Sequence, residues 1–144
     1  GVGVGKNTGT QFSNVMNPTR DVHLFLSLTV DLGFNAYKTA VSCPIAGIKG
    51  YGGAMGPAQF IPSTWNIFSG RLKNILGYVA NPWSPKDAFM ASGMYLSDLG
   101  ATGNSASSQQ RAACRYYCSG GSSCSYSRSV MKLKGSIQAN IDLL

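Results

Sequence analysis

The stretch Gly50-Tyr51-Gly52-Gly53-Ala54-Met55-Gly56-Pro57-Ala58-Gln59-Phe60-Ile61-Pro62-Ser63-Thr64-Trp65 decides how the chain is read. Glycine admits positive φ and lets another group approach where a Cβ would collide. Pro57 and Pro62 fix φ and suit the first turn of a helix. Gln59 places an amide, both donor and acceptor, in the middle of the run. Two readings follow. One is a tight structural turn before a helix; the other is the wall of a binding cleft.

Outward from this stretch, the chain reads as short helices. Thr19 is an N-cap candidate with Asp21 in the first turn, and Val22, Phe25, Leu26 and Leu32 keep helical spacing, so a helix is predicted over 20–32. His23 lies in that first turn and reads as a surface or partly buried residue. Val41 to Ile45 is a candidate arm of a small hairpin. Pro57 is expected to open a helical turn through Phe60, and Ser63 to cap a helix over about 63–76 that ends at Gly77. Ser84-Pro85-Lys86-Asp87 is a helix start, closed by Gly100. Gln109–Tyr117 and Tyr126–Leu144 complete the set, with Lys132 and Lys134 on a solvated face. Trp65 and Phe60 read as core, and Trp83 as a packing residue at the Asn81-Pro82-Trp83 turn.

The chain has 144 residues, the size of one domain with enough surface to bury a core. No apolar run approaches the roughly 20 residues of a membrane helix. The net charge of +7 suits an anionic partner, but the basic residues are scattered and carry no nucleic-acid signature. All five acids are Asp; there is no Glu. Cys43, Cys114, Cys118 and Cys124, with low charge density and abundant Gly and Ser, point to an extracellular or envelope setting and to disulfides. Cys118–Cys124 and Cys43–Cys114 are the expected pairs among three possible pairings. Zinc is the rival, from the loosely metal-like spacing of Cys114, Cys118 and Cys124, although no CxxC knuckle is present.

The residues Gly53 to Trp65 resemble the motif of peptidoglycan lytic transglycosylases, particularly the membrane-bound B type within the lysozyme-like superfamily. Three further segments agree in order: Asn17-Pro18-Thr19-Arg20-Asp21, Asn81-Pro82-Trp83-Ser84-Pro85-Lys86-Asp87-Ala88, and Ala112-Ala113-Cys114-Arg115-Tyr116-Tyr117. The resemblance spans about residues 5–135. It implies a mainly α, lysozyme-like domain of five or six short helices with at most a small β-hairpin, here stapled by disulfides and incomplete at its N-terminal side. It implies peptidoglycan glycan strands as partner, and neither cofactor nor metal.

The implied reaction cleaves the β-1,4 bond between N-acetylmuramic acid and N-acetylglucosamine. The muramoyl 6-hydroxyl attacks its own anomeric carbon and leaves a 1,6-anhydro end. One Glu protonates the leaving oxygen and then accepts the hydroxyl proton. The family's Glu opens a Glu-Ser-x-x-Gly-x-Asn segment, whose end fits Gly5-Lys6-Asn7. That alignment puts Gly1 at the Glu position and Val2 at the Ser position, so the chain offers no catalytic acid. The implied substrate-binding residues are Tyr51, Met55, Gln59, Tyr95 and Tyr117. Tyr116 is one register step from Tyr117, Met55 also reads as core, and Gln59 also reads as a cap of its own turn. Met94 stands where the family often has Asn. A peptidoglycan-binding or structural surface domain that lacks the acid is the alternative function.

Overall fold

The computed structural model describes residues 11–47, 49–118, 121 and 123–143. Six α-helices occur among them: α1 (Phe12–Val15), α2 (Val22–Asp31), α3 (Pro62–Leu76), α4 (Pro85–Asp98), α5 (Ala106–Tyr117) and α6 (Ser125–Ile141), with a 3-10 turn at Ala36–Lys38. The described residues contain no β-strand, only an isolated antiparallel bridge between Met55 and Phe60. The mainly α expectation therefore holds. The hairpin arm at Val41–Ile45 stays a single extended contact: Ser42 N–H donates to the Ala54 carbonyl at 2.9 Å and Gly53 N–H to the Ser42 carbonyl at 2.8 Å.

The chain divides into two compact units, Gly1–Ala91 and Ser92–Leu144. The division falls inside α4. In the first unit the core is aromatic and thioether-rich: Phe12, Met16, Phe25, Met55, Phe60, Trp65, Phe68 and Leu72 are all buried. Phe12 and Phe25 lie 5.0 Å apart, Phe60 and Trp65 5.6 Å, with tilted or edge-on rings as the aromatic quadrupole favours. Trp83 packs edge-on against Phe25 and Phe34 and donates its indole N–H to the Ala40 carbonyl at 2.9 Å. Its reading as a packing residue is thus the observed one.

Helix starts follow local chemistry, with two differences from the expectation. The turn before α2 is closed by Asn17, not Thr19: the Asn17 Oδ1 accepts from the Thr19 and Arg20 backbone N–H groups at 3.1 and 2.9 Å. Pro57 opens no helix; residues 56–59 form a turn, and α3 begins at Pro62. Gly77 ends α3 in the left-handed region at φ 78°.

In the second unit α5 packs on α6. Ala112, Ala113 and Cys114 are buried on α5, and Ser127 at the foot of α6. Small side chains allow helices to approach closely. Gln109 joins the two, accepting from the Lys134 ammonium at 2.6 Å and donating to the Gly103 carbonyl at 3.1 Å. Among the described residues no helix is long and apolar enough to cross a membrane.

Candidate functional site

The turn at 50–60 is built by backbone packing. A Cβ at Gly56 would run into the carbonyl group of Pro82, and its φ of 62° is one that side chains resist. A Cβ at Gly52 would meet the backbone of Ser42, Cys43 and Pro44. These glycines are needed for chain-on-chain contact inside the protein, which is the structural side of the two readings of the run. Met55 N–H donates to the Phe60 carbonyl at 2.9 Å, and the Met55 side chain has no exposed surface. Met55 is therefore core, the second of its two readings, with its thioether fully buried.

Gln59 stands apart from this packing. It is the one non-glycine residue with positive φ among the described residues, at 56°. An L-residue held there costs about 1–2 kcal/mol. The side chain is exposed. Its Nε2 donates to the Gly56 carbonyl at 2.7 Å, so the turn-cap role is present. Its Oε1 finds no partner among the described residues. Tyr51 is exposed at the start of the same loop.

Two buried carboxylates hold the surrounding segments. Asp21 is fully buried; its Oδ1 accepts from the Ser63 backbone N–H at 3.1 Å, and its Oδ2 from Arg20 Nη2 and Nε at 2.6 and 2.9 Å. It thereby caps α3 from the start of α2. Burial pushes this carboxyl upward, but the hydrogen bonds from Arg20 and Ser63 outweigh it and hold it below the usual range. The Asp21 hydrogen bond in turn raises the Arg20 guanidinium. Asp87 is also buried, accepting from Tyr78 Oη at 3.0 Å and the Asn81 N–H at 2.9 Å. Both were expected only as helix-start acids. Their role as ties depends on which distant backbone groups arrive, so spacing carried no signal for it.

In the second unit the tyrosines form two pairs. Tyr95 is half-buried, with its ring 5.0 Å from that of Tyr116, whose hydroxyl lies 3.2 Å from Ser92 Oγ. Burial raises the Tyr116 hydroxyl, and its bond with Ser92 offsets part of this. Tyr117 is exposed and stacked on Tyr126 at 4.9 Å with 25° between planes. The structure thus joins Tyr95 to Tyr116 and Tyr117 to Tyr126. Tyr51 and Gln59 belong to the first unit.

None of the four cysteines forms a disulfide in this structure, so the expected staple is not seen. Cys43 is exposed, whereas the Cys114, Cys118 and Cys124 sulfurs all lie within 4.8 Å of one another. The Cys118 thiol donates to Cys124 Sγ at 2.9 Å. That hydrogen bond, then burial, pushes the Cys118 thiol up to about 11. Burial also pushes Cys124 upward, but hydrogen bonds from Cys114, Cys118 and Ser127 prevail and bring it down to about 6.

A cavity of about 200 Å³ lies between α2 and α3, lined by Leu28, Asp31, Trp65, Asn66, Ser69 and Lys73 among others. None of Tyr51, Met55 and Gln59 lines it. The Trp65 indole N–H is buried without a partner among the described residues. The positions aligned with the missing acid, Gly1 and Val2, and the Gly5-Lys6-Asn7 segment lie outside the described residues. No protein family, curated protein or solved structure matches this chain.

Proposed function

We propose that this chain is the glycan-holding body of a peptidoglycan lytic transglycosylase, of the class that leaves 1,6-anhydro-N-acetylmuramic acid ends. The observation that carries the reading is Gln59. Backbone strain in an exposed polar residue is retained where the surroundings over-determine it, and such positions gather at ligand sites. Here a glycine would serve the turn with less strain, yet an exposed glutamine stands there, and Tyr51 is exposed at the start of the same loop. Amide acceptors bind sugar hydroxyls, and exposed aromatic rings bind sugar faces.

The surrounding contacts support the same reading. Three of the four segments that resemble the family meet physically. Asp21 bonds to Ser63, and Gly56 lies against Pro82. The motif is therefore held in one fixed shape by its companions, with Gln59 as the side chain left over for a ligand.

The absence of Glu from all 144 residues favours a second reading, a peptidoglycan-binding domain without turnover. Asp21 and Asp87 are both consumed as structural acceptors. Digestion of purified sacculi with the full-length gene product separates the two. Release of 1,6-anhydromuropeptides, read by mass spectrometry, is the expected result. Co-sedimentation with sacculi but no anhydro product selects the binding domain. Loss of both overturns the glycan assignment.

A further inference from the structure

The second unit carries a group of side chains that the glycan reading does not use. Cys114 and Cys118 are four residues apart at the end of α5, with Cys118 N–H bonded to the Cys114 carbonyl at 2.8 Å, so both thiols project from one face. Cys124 is the N-cap of α6, and the packing of α5 on α6 delivers the third sulfur. We propose that Cys114, Cys118 and Cys124 form a three-thiolate site for a thiophilic d10 metal ion, Zn(II) or Cu(I).

The geometry fits such an ion closely. Zn–S bonds of about 2.3 Å at tetrahedral angles place sulfurs about 3.8 Å apart. The three sulfurs already lie within 4.8 Å of one another, with Cys118 and Cys124 at 2.9 Å. Moving from one arrangement to the other requires that pair to open by roughly 1 Å, within reach of a change in side-chain torsion. The support around the ligands is also built. Ser127 is fully buried, accepts from the Cys124 N–H at 3.0 Å and donates to the Cys124 carbonyl at 2.9 Å, which fixes the backbone of that ligand. Binding displaces one proton from each thiol to solvent, leaving a net charge of −1 with Zn(II) or −2 with Cu(I). The N-terminus of the 17-residue α6, at Cys124 itself, faces that charge with its positive dipole end.

The number of thiols argues in the same direction. A disulfide uses two and strands the third, and the remaining cysteine, Cys43, is exposed and belongs to the other unit. Three sulfurs complete a trigonal Cu(I) site, or leave Zn(II) one position for water. No further His, Cys or Asp joins the group among the described residues. The site is independent of the glycan reading and stands or falls separately.

The test uses the intact chain, reduced with a phosphine under argon and freed of metal. Titration with Co(II) as spectroscopic probe should give a thiolate-to-metal charge-transfer band saturating at one ion per chain, displaced by Zn(II). A parallel arm titrates Cu(I) against a competing chelator. Cys118→Ser should weaken binding at least tenfold, and Cys43→Ser should leave it unchanged. Should the Cys118 variant fail to fold by circular dichroism, alkylation of the unmodified chain decides: bound metal should protect Cys114, Cys118 and Cys124 while Cys43 reacts. Absence of any charge-transfer band and of Cu(I) binding in the folded chain overturns the site. So does equal protection or equal reaction of all four thiols, or a Cys118–Cys124 disulfide in the protein as isolated.

Discussion

Two glycine-containing loops in this chain look alike on paper and differ in substance. In the loop at 50–60, Gly52 and Gly56 have no room for a side chain, because neighbouring backbone fills the space. In the connection from α5 to α6, Gly121 has nothing within 4 Å of where a Cβ would stand. The first loop is fixed by its neighbours; in the second connection the Cys118 and Cys124 thiols meet, and Cys124 and Ser127 form a capping box. A glycine count cannot separate a glycine that backbone crowds from one with space beside it. Only the packing of distant segments does.

The largest test of this contrast is a pair of glycine replacements. Gly56→Ala forces both a positive-φ side chain and a clash with the Pro82 carbonyl, and should cost about 3 kcal/mol or more. Gly121→Ala meets only the backbone penalty at φ 94° and should cost about 1 kcal/mol. Urea unfolding of both variants measures the difference; equal losses would erase the distinction between the loops.

The ties that hold the first loop come next in size. Asp21→Asn removes a charge-assisted contact with Arg20 and weakens the cap on Ser63, at an expected cost of about 1–3 kcal/mol by thermal or urea melts. It also has a pH signature. The Asp21 carboxyl is held below its unfolded value, so its stabilisation is complete above about pH 4 and is lost as pH falls through the folded value. The native chain should lose stability on acidification below pH 4, and Asp21→Asn should lose less over that range. Parallel acid profiles would show that Asp21 is not the tie described.

The second unit should respond more mildly at its aromatic surface. Tyr117→Ser breaks an exposed stacked pair with Tyr126 and should cost about 0.5–1.5 kcal/mol. A much larger loss would mean that Tyr117 supports the unit rather than presenting a ring to solvent.

Much of the fold was legible from the residues because helix punctuation is local. Ser84-Pro85, Gly77 and the apolar spacing of 65, 68 and 72 mark α3 and α4 to within a residue or two. The start of α5 was missed by three residues, since Ser105, the weak cap that accepts from Ser108 N–H at 3.5 Å, hides among other polar residues. The site was less legible. Gln59 was visible as an amide in a Gly/Pro run, but its positive φ was not. Met55 could be core or cleft wall until burial decided. Which cysteines meet depends on α5 packing on α6, a long-range fact; the four-residue spacing of Cys114 and Cys118 was the only local hint. Asp21 and Asp87 read as helix-start acids because their partners, Ser63 and Tyr78, lie in other segments.

The central claim is that Gln59 keeps a strained conformation in order to present its amide to glycan. Gln59→Gly tests it most directly, measured as co-sedimentation with purified sacculi alongside thermal melting. The account predicts an unchanged or higher melting temperature, because strain of about 1 kcal/mol is released, together with at least a fivefold loss of sacculus binding. Full retention of binding by a folded Gln59→Gly variant would contradict it.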